Sequence, residues 1–220
     1  MVTPPTLASV PAERIHLVRH GEVNNPGRIL YGRLDGFGLT NRGHEMAQAM
    51  ADHFVDLEIR RVISSPMLRA RQTAAPLAAS HGLSIESDER VMEGANVFEG
   101  TRVSAKRIIT HPRLWRHLVN PLKPSWGEAY RAIAFRVLSA MEEAWQSVLD
   151  GEIVIVSHQL PIWMVHRSVA HRPLPHSPSA RRCTLASVTT FDKLDGRWRE
   201  VGYEEPAKAL LEGAIDLGAV

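Results

Sequence analysis

A chain of 220 residues suits one large domain, and 44% hydrophobic against 23% charged residues excludes a disordered polymer and supplies a sizeable core. The formal net charge is +2, and the basic residues come in pairs such as Arg60-Arg61 and Arg181-Arg182, not in the dense stripe of a nucleic-acid surface. The one cysteine, Cys183, can form no internal disulfide, and no stretch has the length of a membrane span or the layout of a secretory leader, so a cytoplasmic protein with no membrane partner is expected.

Residues 1–13, with Pro4, Pro5 and Pro11, read as a flexible tail. Arg14-Ile15-His16-Leu17-Val18-Arg19 reads as a buried strand, because its apolar centre is followed at once by Gly21. Thr40 is a suitable N-cap for a helix over Asn41 to Phe54, where Met46, Ala49, Met50 and Phe54 recur at helical spacing. Arg60 to Ser64 makes a second short strand. Pro66 suits a helix start, with Met67 to Ser80 continuing the helix and Gly82 closing it. Leu83 to Glu86 is a third strand candidate. Arg102 to Val119 reads as helical pieces, interrupted nearby by Pro112, Pro121 and Pro124. Glu128 to Leu149 is a long helix with Ala132, Phe135, Leu138, Met141 and Trp145 on one stripe. Glu152 to Val156 is a central strand running into Ser157-His158, and Leu160 to Ala170 a helix with Pro161 in its first turn. Thr184 to Phe191 and Arg197 to Tyr203 form a hairpin turning at Asp195-Gly196. Residues 206–220 are a tail or a short helix. Strands alternating with helices imply an α/β protein with a mostly parallel sheet, in a single domain over residues 14–205.

In such sheets ligands bind outside the carboxyl ends of the strands. Three of the strands end in reactive groups: Arg19-His20-Gly21, Ser64-Ser65 and Ser157-His158. Two histidines and an arginine therefore converge on one rim.

Arg19-His20-Gly21-Glu22 resembles the signature of the histidine phosphatase superfamily, the phosphoglycerate-mutase-like family. Ser64-Ser65-Pro66-Met67-Leu68-Arg69-Ala70 is similar to its second block, Glu93 with Phe98-Glu99-Gly100 to the block that holds the acid, and Val154 to His158 to the strand that delivers a second histidine. A lone Arg-His-Gly tripeptide is weak evidence. Four blocks in the family order are strong. The resemblance implies a three-layer α/β sandwich, with a mostly parallel central sheet flanked by helices, and a phosphatase acting on a small-molecule phosphate monoester. His20 would attack phosphorus and carry it as phosphohistidine. Arg19, Arg69 and His158 would hold the equatorial oxygens, and Glu93 would protonate the leaving oxygen and later activate water. The alternatives are a phosphoglycerate-type mutase, or a catalytically weak regulatory protein that binds phosphate esters.

Asn25 resembles the family's phosphate-contacting asparagine, one position nearer the first histidine than the common spacing, with Asn24 as fallback. Gln159 stands where the family usually has glycine, and is expected to touch substrate or narrow the pocket. Glu22 and Glu99 are expected to be structural, Cys183 a strand-edge or core residue, and His111, His117, His166, His171 and His176 surface or loop residues. No histidine pair forms a compact zinc pattern and no GxxxxGK[ST] loop is present, so no metal and no cofactor is expected. Trp115, Trp126 and Trp163 are by default packing residues, but residues 94–126 lie where the family places the segments that cover the phosphate pocket, and this stretch is expected to form part of a lid that selects the leaving group. A homodimer is admissible, although no heptad or exposed apolar stripe calls for one.

Overall fold

In the computed structural model, which describes residues 12–101 and 127–216, the alternating pattern becomes a six-stranded sheet between two helical layers. The strands are β1 (Arg14–Arg19), β2 (Ile59–Ser64), β3 (Ile85–Ser87), β4 (Glu152–Ser157), β5 (Val188–Leu194) and β6 (Arg197–Glu204). Their order is β3-β2-β4-β1-β5-β6, with β1 to β4 mutually parallel and β5 antiparallel to both of its neighbours, β1 and β6. The described helices are α1 (Asn41–His53), α2 (Leu68–Ser80), α3 (Tyr130–Gln146) and α4 (Gln159–Val169).

β4 carries the continuous apolar run Ile153 to Val156, and β1 buries Ile15, Leu17 and Val18, because both faces of the sheet are covered. Ile153 and Ile155, with Ile15, Leu17 and Ile63, pack against Val137 and Met141 of α3 and Ile162 and Val165 of α4. The alternate residues Val154 and Val156, with Val18 and Val62, meet Met50 of α1 and Ala74 and Leu77 of α2. One strand thus feeds two cores, through the two-residue period of the pleat.

Local signals set most ends. Thr40 Oγ1 accepts the Gly43 N–H at 2.9 Å and caps α1. Gly82 follows α2 with φ +63°, a conformation that glycine adopts without steric cost. Asp195 and Gly196 both take positive φ, 51° and 73°, as a two-residue type I′ hairpin turn requires. Pro66 differs from expectation: α2 begins at Leu68, after an extended Met67, so the proline precedes the helix instead of lying in its first turn.

The core-facing stripe of α3 also differs. Phe135 is 75% exposed and Ala132 is exposed, while Ile133, Ala134, Val137, Ala140, Met141, Ala144 and Trp145 are buried. Two apolar stripes overlap on this helix. The buried one contains three alanines, whose small side chains permit close approach to neighbouring elements. The helix is also shorter than Glu128 to Leu149.

After β6, a short 3₁₀ turn (Lys208–Leu210) returns the chain to α1, where Ala207, Leu210, Leu211 and Ala214 pack with Met46, Leu185 and Ala186. At the other end, Ala12 is buried and Glu13 donates its N–H to the Gly151 carbonyl at 2.8 Å. The expected helical pieces over Arg102 to Val119, and Trp115 and Trp126, lie outside the described residues, as does most of the expected N-terminal tail. Among the described residues, no helix is long and apolar enough to cross a membrane.

Candidate active site

The residues that follow β1, β2 and β4 meet on one rim because these strands are parallel neighbours. Arg19 closes β1 opposite Ser157 of β4, and the His20 N–H donates to the Ser157 carbonyl at 3.2 Å. The Ser65 N–H donates to the Val156 carbonyl at 2.9 Å, which ties the end of β2 to the same place. His20 and His158 thereby stand with ring centroids 5.2 Å apart. Arg69, in the first turn of α2, donates from Nη2 to the Gly32 carbonyl at 2.7 Å, and its guanidinium lies 4.7 Å over the Tyr31 ring.

Glu93 arrives on a loop pinned from several sides. The Ser157 hydroxyl donates to the Val91 carbonyl at 2.7 Å. Arg33 Nε and Arg136 Nη2 donate to the Glu93 carbonyl at 2.7 and 3.2 Å, and both guanidinium groups also grip the Glu128 carboxylate.

Arg19, His20, Arg69, Glu93 and His158 are all buried, yet each has a polar atom with no partner in the protein. These atoms are Arg19 Nε, His20 Nε2, Arg69 Nε and Nη1, Glu93 Oε2 and His158 Nδ1, six of the seven such atoms among the described residues. Folded proteins rarely leave buried polar atoms unmet, so their concentration marks a place built to receive an outside group. Guanidinium N–H groups suit an oxyanion. His20 Nδ1 lies 2.8 Å from the Gly21 carbonyl, which can only accept, so Nδ1 carries the proton and Nε2 presents its lone pair. His158 Nε2 meets Ser65 Oγ at 2.8 Å, and Glu93 Oε1 accepts the Gly94 N–H at 2.9 Å.

The electrostatics follow from this burial. His20 has its pKa held well below the ordinary histidine value, first by burial and then by Arg69 and Arg19. His158 is depressed in the same way, by burial, then Arg69 and His20. Glu93 is shifted upward by burial, against the opposing pull of the Gly94 N–H and of Arg69, Arg181 and Arg19. Burial also works against the charge on Arg19, but the carboxylate of Asp216 outweighs it and the pKa is raised.

The sequence pattern of the histidine phosphatase superfamily (branch 1) matches residues 15–206. The chain belongs to that superfamily. It is 46% identical over 195 residues to protein Rv0525 of Mycobacterium tuberculosis, covering 88% of this chain and 96% of that one. A Shigella boydii protein named "probable phosphoglycerate mutase GpmB" is 28% identical over 198 residues, covering 86% and 89% of the two chains. Among solved structures, the mycobacterial glucosyl-3-phosphoglycerate phosphatase Rv2419c is 27% identical with a TM-score of 0.67, over 86% of this chain and 96% of that one. Bacillus stearothermophilus YhfR, 23% identical with a TM-score of 0.73 over 92% and 98%, shares the fold. The superfamily and these relatives place the chain among phosphatases and phosphomutases.

In this member of the superfamily, the five residues expected to carry the chemistry stand together. The Asn25 side chain donates to the Ile29 carbonyl at 2.8 Å and accepts the Ile29 N–H at 3.1 Å. Gln159 bridges, donating to the Cys183 carbonyl at 3.4 Å and accepting from Arg181 Nη1 at 3.2 Å. Glu22 accepts from Thr40 Oγ1 and the Ile215 N–H, and Glu99 from the Arg33 and Asn96 N–H groups, both structural uses. Cys183 is a core residue, and burial pushes its thiol up to about 11. His166, expected as a surface or loop residue, is half-buried on α4, stacked on Trp163 and bonded to Glu200.

Several contributors carried no signal in the sequence. Tyr31, beneath Arg69, and the clamp of Arg33, Arg136 and Glu128 on Glu93 belong to no motif. The same holds for Asp216, whose carboxylate takes both terminal nitrogens of Arg19.

Proposed function

We propose that this histidine phosphatase hydrolyses a small-molecule phosphate monoester, without a metal or cofactor, by way of a phosphohistidine on His20. One observation carries the reading: a bare, buried His20 Nε2 beside the Arg69 and Arg19 guanidinium groups, both with unpartnered N–H groups, and an unpartnered Glu93 carboxyl oxygen near the same two arginines. In this mechanism Nε2 attacks phosphorus in line, the N–P bond forms and the ester P–O bond breaks. Arg19, Arg69 and His158 hold the equatorial oxygens, and the acceleration comes from positioning and fixed charge. Glu93 gives its proton to the departing oxygen. It then takes a proton from water, whose oxygen attacks phosphorus and displaces His20, releasing inorganic phosphate.

The similarity to the solved mycobacterial glucosyl-3-phosphoglycerate phosphatase supports a monoester with an alkyl leaving group. The relative named as a mutase favours the second reading, in which phosphohistidine returns the group to another hydroxyl. We further place the enzyme in the cytoplasm, acting on a free metabolite and not on nucleic acid or membrane.

The test is release of phosphate from para-nitrophenyl phosphate in excess EDTA, comparing wild type with His20→Ala. Activity that persists in EDTA and vanishes in the variant supports the mechanism. Activity abolished by EDTA, or retained by the variant, overturns it. Transfer between phosphoglycerates in place of phosphate release would make the protein a mutase.

A further inference from the structure

We propose that Asp216 is a positioning residue for the phosphate site, aiming the guanidinium of Arg19 at the phosphoryl group. A guanidinium has five N–H donors in a plane. On Arg19, Nη1 spends its two on the Cys183 carbonyl at 2.7 Å and on Asp216 Oδ2 at 2.8 Å, and Nη2 spends one on Asp216 Oδ1. What remains is the side-on pair, the Nε–H and the second Nη2 hydrogen. That pair is a planar fork matched to two oxygens of a phosphate. Nε is buried and has no partner. Asp216 and Cys183 thus hold the outer edge of the guanidinium and leave the inner edge for the ligand.

The carboxylate is delivered by two anchors. Ala207, Leu210, Leu211 and Ala214 pack with Met46, Leu185 and Ala186, and the N–H of Ile215 donates to Glu22 Oε1 at 2.7 Å. Glu22 lies two residues after His20 and is itself bonded to Thr40 at the start of α1. The segment that carries Asp216 is therefore tied to the loop that carries the nucleophile.

A carboxylate on a phosphate-binding arginine could instead act as an internal competitor for phosphate. The geometry argues against this, since Asp216 occupies the edge that Arg19 also shares with a backbone carbonyl, and not the Nε edge. Magnitudes agree. The Asp216 side chain is 40% exposed, so its repulsion of a dianion is screened by solvent, whereas Arg19 is fully buried and its directed bonds act in a low-dielectric setting.

This inference rests on the reading of Arg19 as a phosphate ligand. The experiment is calorimetric titration of the full chain with inorganic phosphate, for wild type, Asp216→Ala, Arg19→Lys and the double variant, each checked by thermal melting. Asp216→Ala is expected to weaken binding about tenfold, as loss of an orienting partner does at other charged sites. In the Arg19→Lys background it should change binding less than about twofold, because an ammonium has no fork to aim. Equal or tighter binding by Asp216→Ala, or the same loss in both backgrounds, overturns the proposal. Asp216→Asn keeps the size and one acceptor, so the comparison stands even where the alanine variant melts early. It too must bind phosphate less tightly than its parent. Absence of phosphate binding by folded wild type would overturn the phosphate-site reading itself, and this inference with it.

Discussion

Glu93→Gln separates the two jobs assigned to Glu93. The glutamine oxygen can keep the 2.9 Å bond from the Gly94 N–H, and its NH₂ occupies the place of Oε2, so shape is retained and the proton is lost. General acid catalysis contributes about 10²- to 10⁴-fold, or roughly 3–5 kcal/mol of barrier. An alkyl phosphate, whose leaving alkoxide is strongly basic, should lose that much in kcat/KM. Para-nitrophenolate leaves without help, so its ester should lose less than about tenfold in kcat/KM. Turnover of the aryl ester should still fall, because Glu93 also activates the water. The assay is stopped-flow release of nitrophenolate beside steady-state phosphate release from both esters. A burst of one equivalent per active site, with slow turnover after it, is the expected record. Equal losses in kcat/KM for the aryl and alkyl esters, or no burst, would refute the role of Glu93 as proton donor.

Acid sensitivity is a second consequence. His20 and His158 have depressed pKa values in the folded chain, so the unfolded chain binds protons more readily and stability falls as pH drops below the ordinary histidine value of 6.5. Each ring held neutral costs about 1.4 kcal/mol per pH unit in that range. His20→Gln should flatten the decline between pH 7 and 5 in urea denaturation, and an unchanged slope would refute the claim. Glu93, whose pKa is raised, runs the opposite way, its stabilising share being lost as pH rises, and it is common to both proteins. A third prediction concerns packing: a Cβ on Gly43 would lie 2.1 Å from the Glu22 carbonyl oxygen, in the loop that follows His20. Gly43→Ala should cost about 3 kcal/mol. Gly27→Ala, whose Cβ meets only Ile29 Cγ2 at 3.6 Å, should change stability by less than about 1 kcal/mol, and similar costs at the two sites would refute the packing argument.

The site was legible where chemistry sits next to a strand end. Arg19-His20, Ser64-Ser65 and Ser157-His158 each follow an apolar run that could only be buried, and parallel pairing then forces them together. Contacts between distant segments were not legible. Nothing local in Asp216 says that it will meet Arg19, 197 positions earlier in the chain. Nothing in Arg33, Glu128 or Arg136 announces a clamp on a carbonyl. The buried face of α3 departs from the expected stripe for a related reason: period alone allows two stripes, and only packing against the sheet and α4 selects the one rich in alanine. Gln159 was recognised as unusual, but its bridge to Arg181 depends on a loop that returns 22 positions later.

The opposite shifts of His20 and Glu93 have one physical origin, and this makes the pocket more than a collection of suitable residues. Burial disfavours whichever form is charged. It lowers the pKa of the imidazole and raises that of the carboxyl, so both groups are driven toward neutrality. In the proposed mechanism neutral imidazole is the nucleophile and neutral carboxyl is the acid, the two forms in which that reaction must begin. The arginines act unequally on the pair. Arg69 and Arg19 push His20 further in the useful direction, but they stabilise the Glu93 carboxylate and oppose its shift. A bound dianionic phosphoryl group would offset those positive charges near Glu93, and by the same reasoning carry its pKa further up. The alkaline limb of the kcat profile, where Glu93 loses its proton, should then lie at a higher pH than the same limb of kcat/KM, because the substrate helps to protonate its own general acid.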